Sequence, residues 1–278
     1  MTRRENRALA RALEIRRNTM DLGIAGRTAI VCASSKGLGR GCAQALAEAG
    51  CTVIVNGRDA KTLEETASAI RASTGATVIS VVADVSTKAG QDALLAAAPE
   101  IDILVNNNGG PPPKPFREVT REALLEGVAQ NMATPLELTQ RVVDGMIARR
   151  YGRIVNITSA SVLTPLTGLD VSSAARAGLT AFLAGVAREV AHANVTINNI
   201  LPGVFATDRL TTSTKRVAAM KGISEEEVMK LRRAEIPAGR FGEAEEFGKL
   251  CAFLASAHAG YITGQNFLMD GGSFRANF

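Results

Sequence analysis

TAIVCASSKGLGRGCAQALAEAGCTVIVNG, residues 28–57, reads as strand, turn, helix and strand in immediate succession. The runs TAIVCA (28–33) and TVIVN (52–56) are almost continuously apolar, the pattern of strands buried on both faces of a parallel sheet. Between them an Ala-rich stretch near 38–49 has helical character, and Gly37 and Gly39 open it. Glycines here let the backbone turn sharply and approach an anion, which then meets the free N–H groups and the dipole of the helix N-terminus. A phosphate-binding turn is the expectation.

The same alternation continues outward. Strands are expected at TVISVV (77–82), IDILVN (101–106), RIVNIT (153–158), VTINNI (195–200) and near 266–269, and helices near 59–73, 88–98, 118–149, 173–192 and 243–255. Strands and helices in strict alternation predict one α/β domain of Rossmann type over 20–278: a doubly wound, seven-stranded, mainly parallel sheet with helices on both faces. Residues 205–239 break the alternation between the sixth and seventh strands. An insertion at that sheet edge is expected to cover the ligand crevice as a substrate lid.

With 278 residues, 46% hydrophobic and 21% charged, the chain is large enough for a substantial core. Its formal charge of +5 raises an acidic partner as a possibility, but residues 1–19 hold six arginines against Glu5 and Glu14 and so carry +4 of it. That stretch is expected to be a basic, amphipathic N-terminal appendage, with Met20 as a working start. Two tyrosines, nine phenylalanines and no tryptophan leave few rings for stacking on bases, so no nucleic-acid partner is expected. No apolar run spans a bilayer, and Cys32, Cys42, Cys51 and Cys251 have neither the spacing of a metal site nor the density of a disulfide scaffold. No membrane, no metal and a cytoplasmic location follow as expectations.

The chain resembles the short-chain dehydrogenase/reductase family, in the branch of the 3-oxoacyl reductases. The resemblance rests on Gly37 and Gly39, the Asp84-Val85 pair, Asn106-Asn107-Asn108-Gly109, Pro202-Gly203, Tyr261-Ile262-Thr263-Gly264 and Asp270-Gly271-Gly272, in order over residues 22–272. Cys32 and Ala33 stand where the family carries Thr and its first Gly. The resemblance implies a cofactor site built from Ser34, Ser35, Lys36, Gly37, Leu38 and Gly39, with Asp84 and Val85 along the adenine and Asn106 near the adenosine ribose. Asn107 and Gly109 follow the fourth strand, and Pro202, Gly203, Val204 and Thr207 surround the nicotinamide end. Where NAD-binding relatives place an acid for the ribose 2′-OH, this chain has Gly57 followed by Arg58, and Lys36 is a second cation where NADP-binding relatives carry one. NADP(H) is therefore the expected cofactor.

At the catalytic positions the pattern changes. The family's serine maps to Ser159 and its asparagine to Asn131, but the Tyr-x-x-x-Lys window reads Ser172-Ser173-Ala174-Ala175-Arg176. Ser172 and Arg176 share one helical face, and Arg176 can keep both the positive charge and the ribose contacts implied for the lysine. An aliphatic hydroxyl is a poorer acid than a phenol. Tyr151 and Tyr261, the chain's only tyrosines, lie outside the motif. Three readings stay open: reduction of a small carbonyl compound with a proton from water, Ser172, Asp170 or Lys114; imine, alkene or other atypical chemistry on the same scaffold; and a non-catalytic NADP(H)-binding sensor or assembly protein. The resemblance also implies a homotetramer or homodimer, with Ala174, Ala177, Ala181 and Ala184 as a face for close helix approach.

Overall fold

The computed structural model describes residues 20–276, so the expected basic appendage at 1–19 lies outside the described residues. Seven parallel strands form a single sheet: β1 (Thr28–Val31), β2 (Thr52–Gly57), β3 (Val78–Val82), β4 (Ile103–Asn106), β5 (Gly152–Ile157), β6 (Val195–Pro202) and β7 (Asn266–Met269). Their order is β3-β2-β1-β4-β5-β6-β7. The winding reverses between β1 and β4, which opens a crevice at the carboxyl edge of the sheet.

Helices cover both faces, and the two-residue period of the strands assigns side chains between them. Ala29 and Val31, Val53 and Val55, and Ile103 and Val105 face one apolar layer built with α1 (Gly37–Glu48), α2 (Ala60–Thr74) and the late helix Ala244–Leu254. Ile30, Ile54, Leu104, Ile154 and Ile197 face the other. That layer is completed by α3 (Lys88–Leu95), the helix Thr134–Ala148 and the helix Asp170–Val190.

The stretch 118–149, expected as one helix, is three pieces: α4 (Arg121–Val128), a π turn (Ala129–Ala133) and α5 (Thr134–Ala148). Pro135 explains the break. It has no N–H to donate and its ring crowds the carbonyl one turn back. The helix widens instead, with both the backbone N–H of Thr134 and its Oγ1 bonding the carbonyl of Ala129. After α6 (Asp170–Val190), the stretch 205–239 forms α7 (Asp208–Lys221) and α8 (Glu225–Ala234) around a small apolar cluster of Leu210, Ile236 and Phe241.

The last helix, α9 (Ala244–Leu254), lies directly on α1. A Cβ on Gly41 would overlap the carbonyl of Ala244, and one on Gly248 would overlap the carbonyl of Gly41. Across the other half of the sheet, the register sets Asn106, Asn156, Asn199 and Asn266 side by side on β4 to β7. Each donates its Nδ2 to the Oδ1 of the next, at 2.9, 3.0 and 2.8 Å. Among the described residues, no helix is long and apolar enough to cross a membrane.

Candidate active site

The turn after β1 is pinned from beneath by Asn56 on β2. Its Oδ1 accepts from the N–H of Ala33, its carbonyl from that of Ser34, and its Nδ2 donates to the carbonyls of Val81 and Ala83. Ala33 is held at φ 43°, the left-handed region that a glycine enters freely and an alanine resists. Gly37 follows at φ 56°, and a Cβ on Gly39 would stand 2.6 Å from the Ala33 carbonyl and 2.7 Å from Nδ2 of Asn107. Asn107 donates that Nδ2 to Ala33, so the strand after the crevice ties down the turn before it. Lys36, the residue before α1, makes no side-chain cap and leaves the helix's leading N–H groups unclaimed.

Several expected cofactor residues serve the scaffold through their side chains. Ser34 is fully buried, with its hydroxyl donating to Val31 and accepting from the N–H of Asn56. Asn106, expected beside the adenosine ribose, is buried in the asparagine row, which takes its side chain away from the crevice. Val85 is likewise buried, and Leu38 packs on the apolar layer under α1. Ser35 lies over Gly57, whose Cβ would sit 3.2 Å from its side chain.

The two expected cations stay at the surface. Lys36 reaches Asp208 at 3.4 Å and Arg58 reaches Asp84 at 3.9 Å, in exposed pairs. Hydrogen bonds from Ser86, helped by Arg58, hold the Asp84 carboxyl below its ordinary range. Arg58 follows Gly57 at the end of β2, and the acid after it, Asp59, caps the next helix by accepting from the N–H of Thr62. The open helix terminus, the glycine turn that a side chain would fill and two exposed cations held only in surface pairs fit a dinucleotide bearing a 2′-phosphate.

At the other end of the crevice, the π turn points Asn131 at the loop after β4, where its Nδ2 donates to the Gly109 carbonyl at 3.1 Å. Asn108 returns the tie, donating to the Gln130 carbonyl and accepting from the N–H of Gly109. Arg176 on α6 is only 7% exposed. Its Nη1 donates to Ser172 Oγ, and its Nη2 reaches the Asn108 carbonyl at 3.4 Å. Burial, reinforced by the nearby Arg209 guanidinium, pushes the Arg176 pKa down to about 10. Asn106, Asn131 and Arg176 border one small void, and the Oδ1 atoms of both asparagines are buried without a hydrogen-bond partner.

Ser172 also lines a cleft of about 180 Å³ with Gly110, Pro111, Lys114, Glu126 and Leu169. Ser159 accepts from the backbone N–H and the hydroxyl of Ser161 in its own turn. Gly203 lies against Asp270, where a Cβ would be 2.7 Å away, and Val204 is exposed while bonding Gly242 through its carbonyl. Thr207, expected at the nicotinamide end with Pro202, lies against the glycine turn, its Cγ2 being 3.5 Å from where a Gly37 Cβ would stand.

A family model described as enoyl-(acyl carrier protein) reductase matches residues 32–273. The chain belongs to the short-chain dehydrogenase/reductase family. It is 32% identical to the 3-oxoacyl-(acyl-carrier-protein) reductase FabG of Aquifex aeolicus over 92% of this chain and all of that protein. An acetoacetyl-CoA reductase of Cupriavidus necator is 36% identical over 67% of this chain and 72% of its own length. Among solved structures, the L-sorbose reductase of Gluconobacter frateurii, complexed with NADPH and L-sorbose, is similar with a TM-score of 0.87. It is 29% identical and covers 92% of this chain and all of its own.

Neither tyrosine of this short-chain dehydrogenase/reductase lines the cleft. Tyr151 is buried, donates to the Ala255 carbonyl at 3.0 Å and lies under the guanidiniums of Arg27 and Arg153, while Tyr261 is fully exposed. Two residues that shape the site were missed in the sequence. Asn56 carried a signal, being a polar residue inside a buried apolar strand, where side chains need partners. Arg209 carried none, since a surface arginine near a helix start looks like any other.

Proposed function

We propose that this chain is an NADP(H)-dependent oxidoreductase that reduces a small carbonyl compound, with Ser172 and Arg176 at the positions of the family's tyrosine and lysine. The observation that carries the reading is the buried Ser172–Arg176 contact at the wall of the cleft. Lys36 and Arg58 hold the 2′-phosphate, and the N–H groups at the start of α1 hold the diphosphate. NADPH, when bound, supplies the hydride. The carbonyl carbon takes the hydride and the oxygen takes a proton, giving an alcohol and the oxidised cofactor.

Arg176 donates to the oxygen of Ser172, which leaves the serine's own O–H free to point into the cleft. The positive charge beside it stabilises the serine oxygen after its proton has passed to the substrate. Asn131 holds the loop after β4 in place and borders the void beside Arg176, and its buried, unpaired oxygen serves the relay water expected of it. Ser159, Pro202, Gly203 and Thr207 complete the crevice, and α7 and α8 form the lid.

The distance of both tyrosines from the cleft also favours a second reading, in which the substrate is an imine or activated alkene that makes a lighter demand on the acid. The test is NADPH oxidation by the purified protein against ketones, imines and enones, with S172A alongside. Turnover of a ketone that falls at least about tenfold in S172A is the expected result. Turnover of only imines or enones moves the assignment to the second reading. Tight NADPH binding with no turnover overturns both in favour of a sensor, and tighter binding of NADH overturns the cofactor assignment.

The outward stripe of α6 supports a homo-oligomer. Ala174 and Ala181 are exposed, Ala177 and Ala184 are half-exposed, and Phe182 stands at 50% exposure among them. These small residues do not pack on the sheet.

A further inference from the structure

Arg176 is a buried cation with only neutral partners. Its acceptors are the Ser172 hydroxyl and the Asn108 carbonyl, and among the described residues no carboxylate pairs with it. A second guanidinium meets it. Nη1 and Nη2 of Arg209, in the first turn of α7, both lie 3.1 Å from the point where a Cβ on Gly110 would stand, and Nη1 of Arg176 lies 3.2 Å from the same point. Arg209 also has no carboxylate partner among the described residues.

Two like charges converge at a residue with no side chain, on the wall of the cleft that Ser172 lines. At the adjacent end of α7 Thr207 makes no side-chain cap, and the carboxylate of the first turn, Asp208, is paired with Lys36 rather than with either arginine. Lys114 lines the same cleft, and its one lining carboxylate, Glu126, accepts from Gln130 at 3.1 Å. A desolvated guanidinium facing another is costly until an anion lies between them, and the planar fork of arginine matches the two oxygens of a carboxylate.

We propose that Arg176 and Arg209 form a carboxylate-binding site at Gly110, and that the substrate is a short oxo acid. The assignment rests on the reduction reading above for the identity of the reacting carbonyl. Because Arg176 touches Ser172 directly, the carboxylate carbon lies one or two bonds from the carbonyl carbon, as in a 2-oxo or 3-oxo acid. The anions of the cofactor have their own partners in the glycine turn, Lys36 and Arg58. Arg209 is thus a specificity-determining residue, left over for the substrate.

The experiment is calorimetric titration of the protein saturated with NADP⁺, in which no hydride can be delivered. The probes are pyruvate, acetoacetate and the uncharged ethyl acetoacetate. One of the two acids should bind at least about tenfold tighter than the ester, and R209Q should remove that preference while leaving NADP⁺ affinity within about twofold. Equal binding of acids and ester overturns the proposal. So does an R209Q variant that weakens NADP⁺ and leaves the acids untouched, since Arg209 would then serve the cofactor's phosphates. Parallel assays with NADPH separate this proposal from the reading beneath it. Arginine-dependent acid binding without turnover keeps the carboxylate site and removes the reductase, whereas turnover of ketones with no preference for acids does the reverse.

Discussion

A single guanidinium concentrates the tension between stability and chemistry in this protein. Burial disfavours the charge on Arg176 and moves its pKa down from the ordinary guanidinium value to about 10. Between those two values the unfolded chain holds a proton that the folded one has released, so this group makes stability rise with pH across that window and imposes its full cost below it. R176M should therefore raise the unfolding free energy at neutral pH, on the order of 1–3 kcal/mol, while abolishing reduction. The difference from the parent should shrink as pH climbs above about 10. Denaturant titrations of both proteins at a series of pH values check it, and a less stable R176M would mean that the lost bonds to Ser172 and Asn108 outweigh the relieved charge. Ser172 and Arg176 were legible as a pair through the family resemblance, and their spacing put them on one helical face. Their approach to Arg209 was not, because it depends on where α7 is laid down.

At the scale of elements, the apolar period located every strand, since strands buried on both faces announce themselves by composition. Helix interruptions were harder to read. The π turn that delivers Asn131 needs Pro135 and Thr134 to be read together with a carbonyl five residues back. Helix starts show a further contrast. Side chains cap α2, α3, α4 and α8 through Asp59, Thr87, Thr120 and Ser224, whereas α1, α6 and α7, which border the crevice, have no such cap. The contact of α1 with α9 also escaped the sequence, because Gly41 and Gly248 look like ordinary helix glycines until the two backbones meet. A methyl at either position has to push a carbonyl away. G248A should lose about 1–3 kcal/mol in urea denaturation, and cofactor affinity should fall with it, because α1 carries the phosphate turn. An unchanged midpoint would show that the helices can separate at no cost.

For the molecule as a whole, the doubly wound parallel sheet followed from the alternation of strands and helices, while its strand order, the two helices within 205–239 and the outward stripe of α6 required coordinates. If that stripe seats another copy, F182E places a charge in the seam, and light scattering should show the parent as a tetramer or dimer and the variant as a smaller species. A monomeric parent would remove the interface. The asparagine row does a different job on the same half of the sheet. It couples β4 through β7 by side-chain amides as well as by the backbone ladder, so a slip of one strand would strand a buried donor and acceptor on each side.

The glycine lock between α1 and α9 has a consequence in time as well as in space. The helix that presents the phosphate turn is made early, at residues 37–48, yet the surface it rests on is not translated until residues 244–254. A nascent chain can pair β1 with β2 long before it can seat α1. The dinucleotide site is thus one of the last parts of the protein to mature, and a truncated product lacking α9 would emerge with the phosphate turn tied only by Asn56 and Asn107 and the outer face of α1 bare.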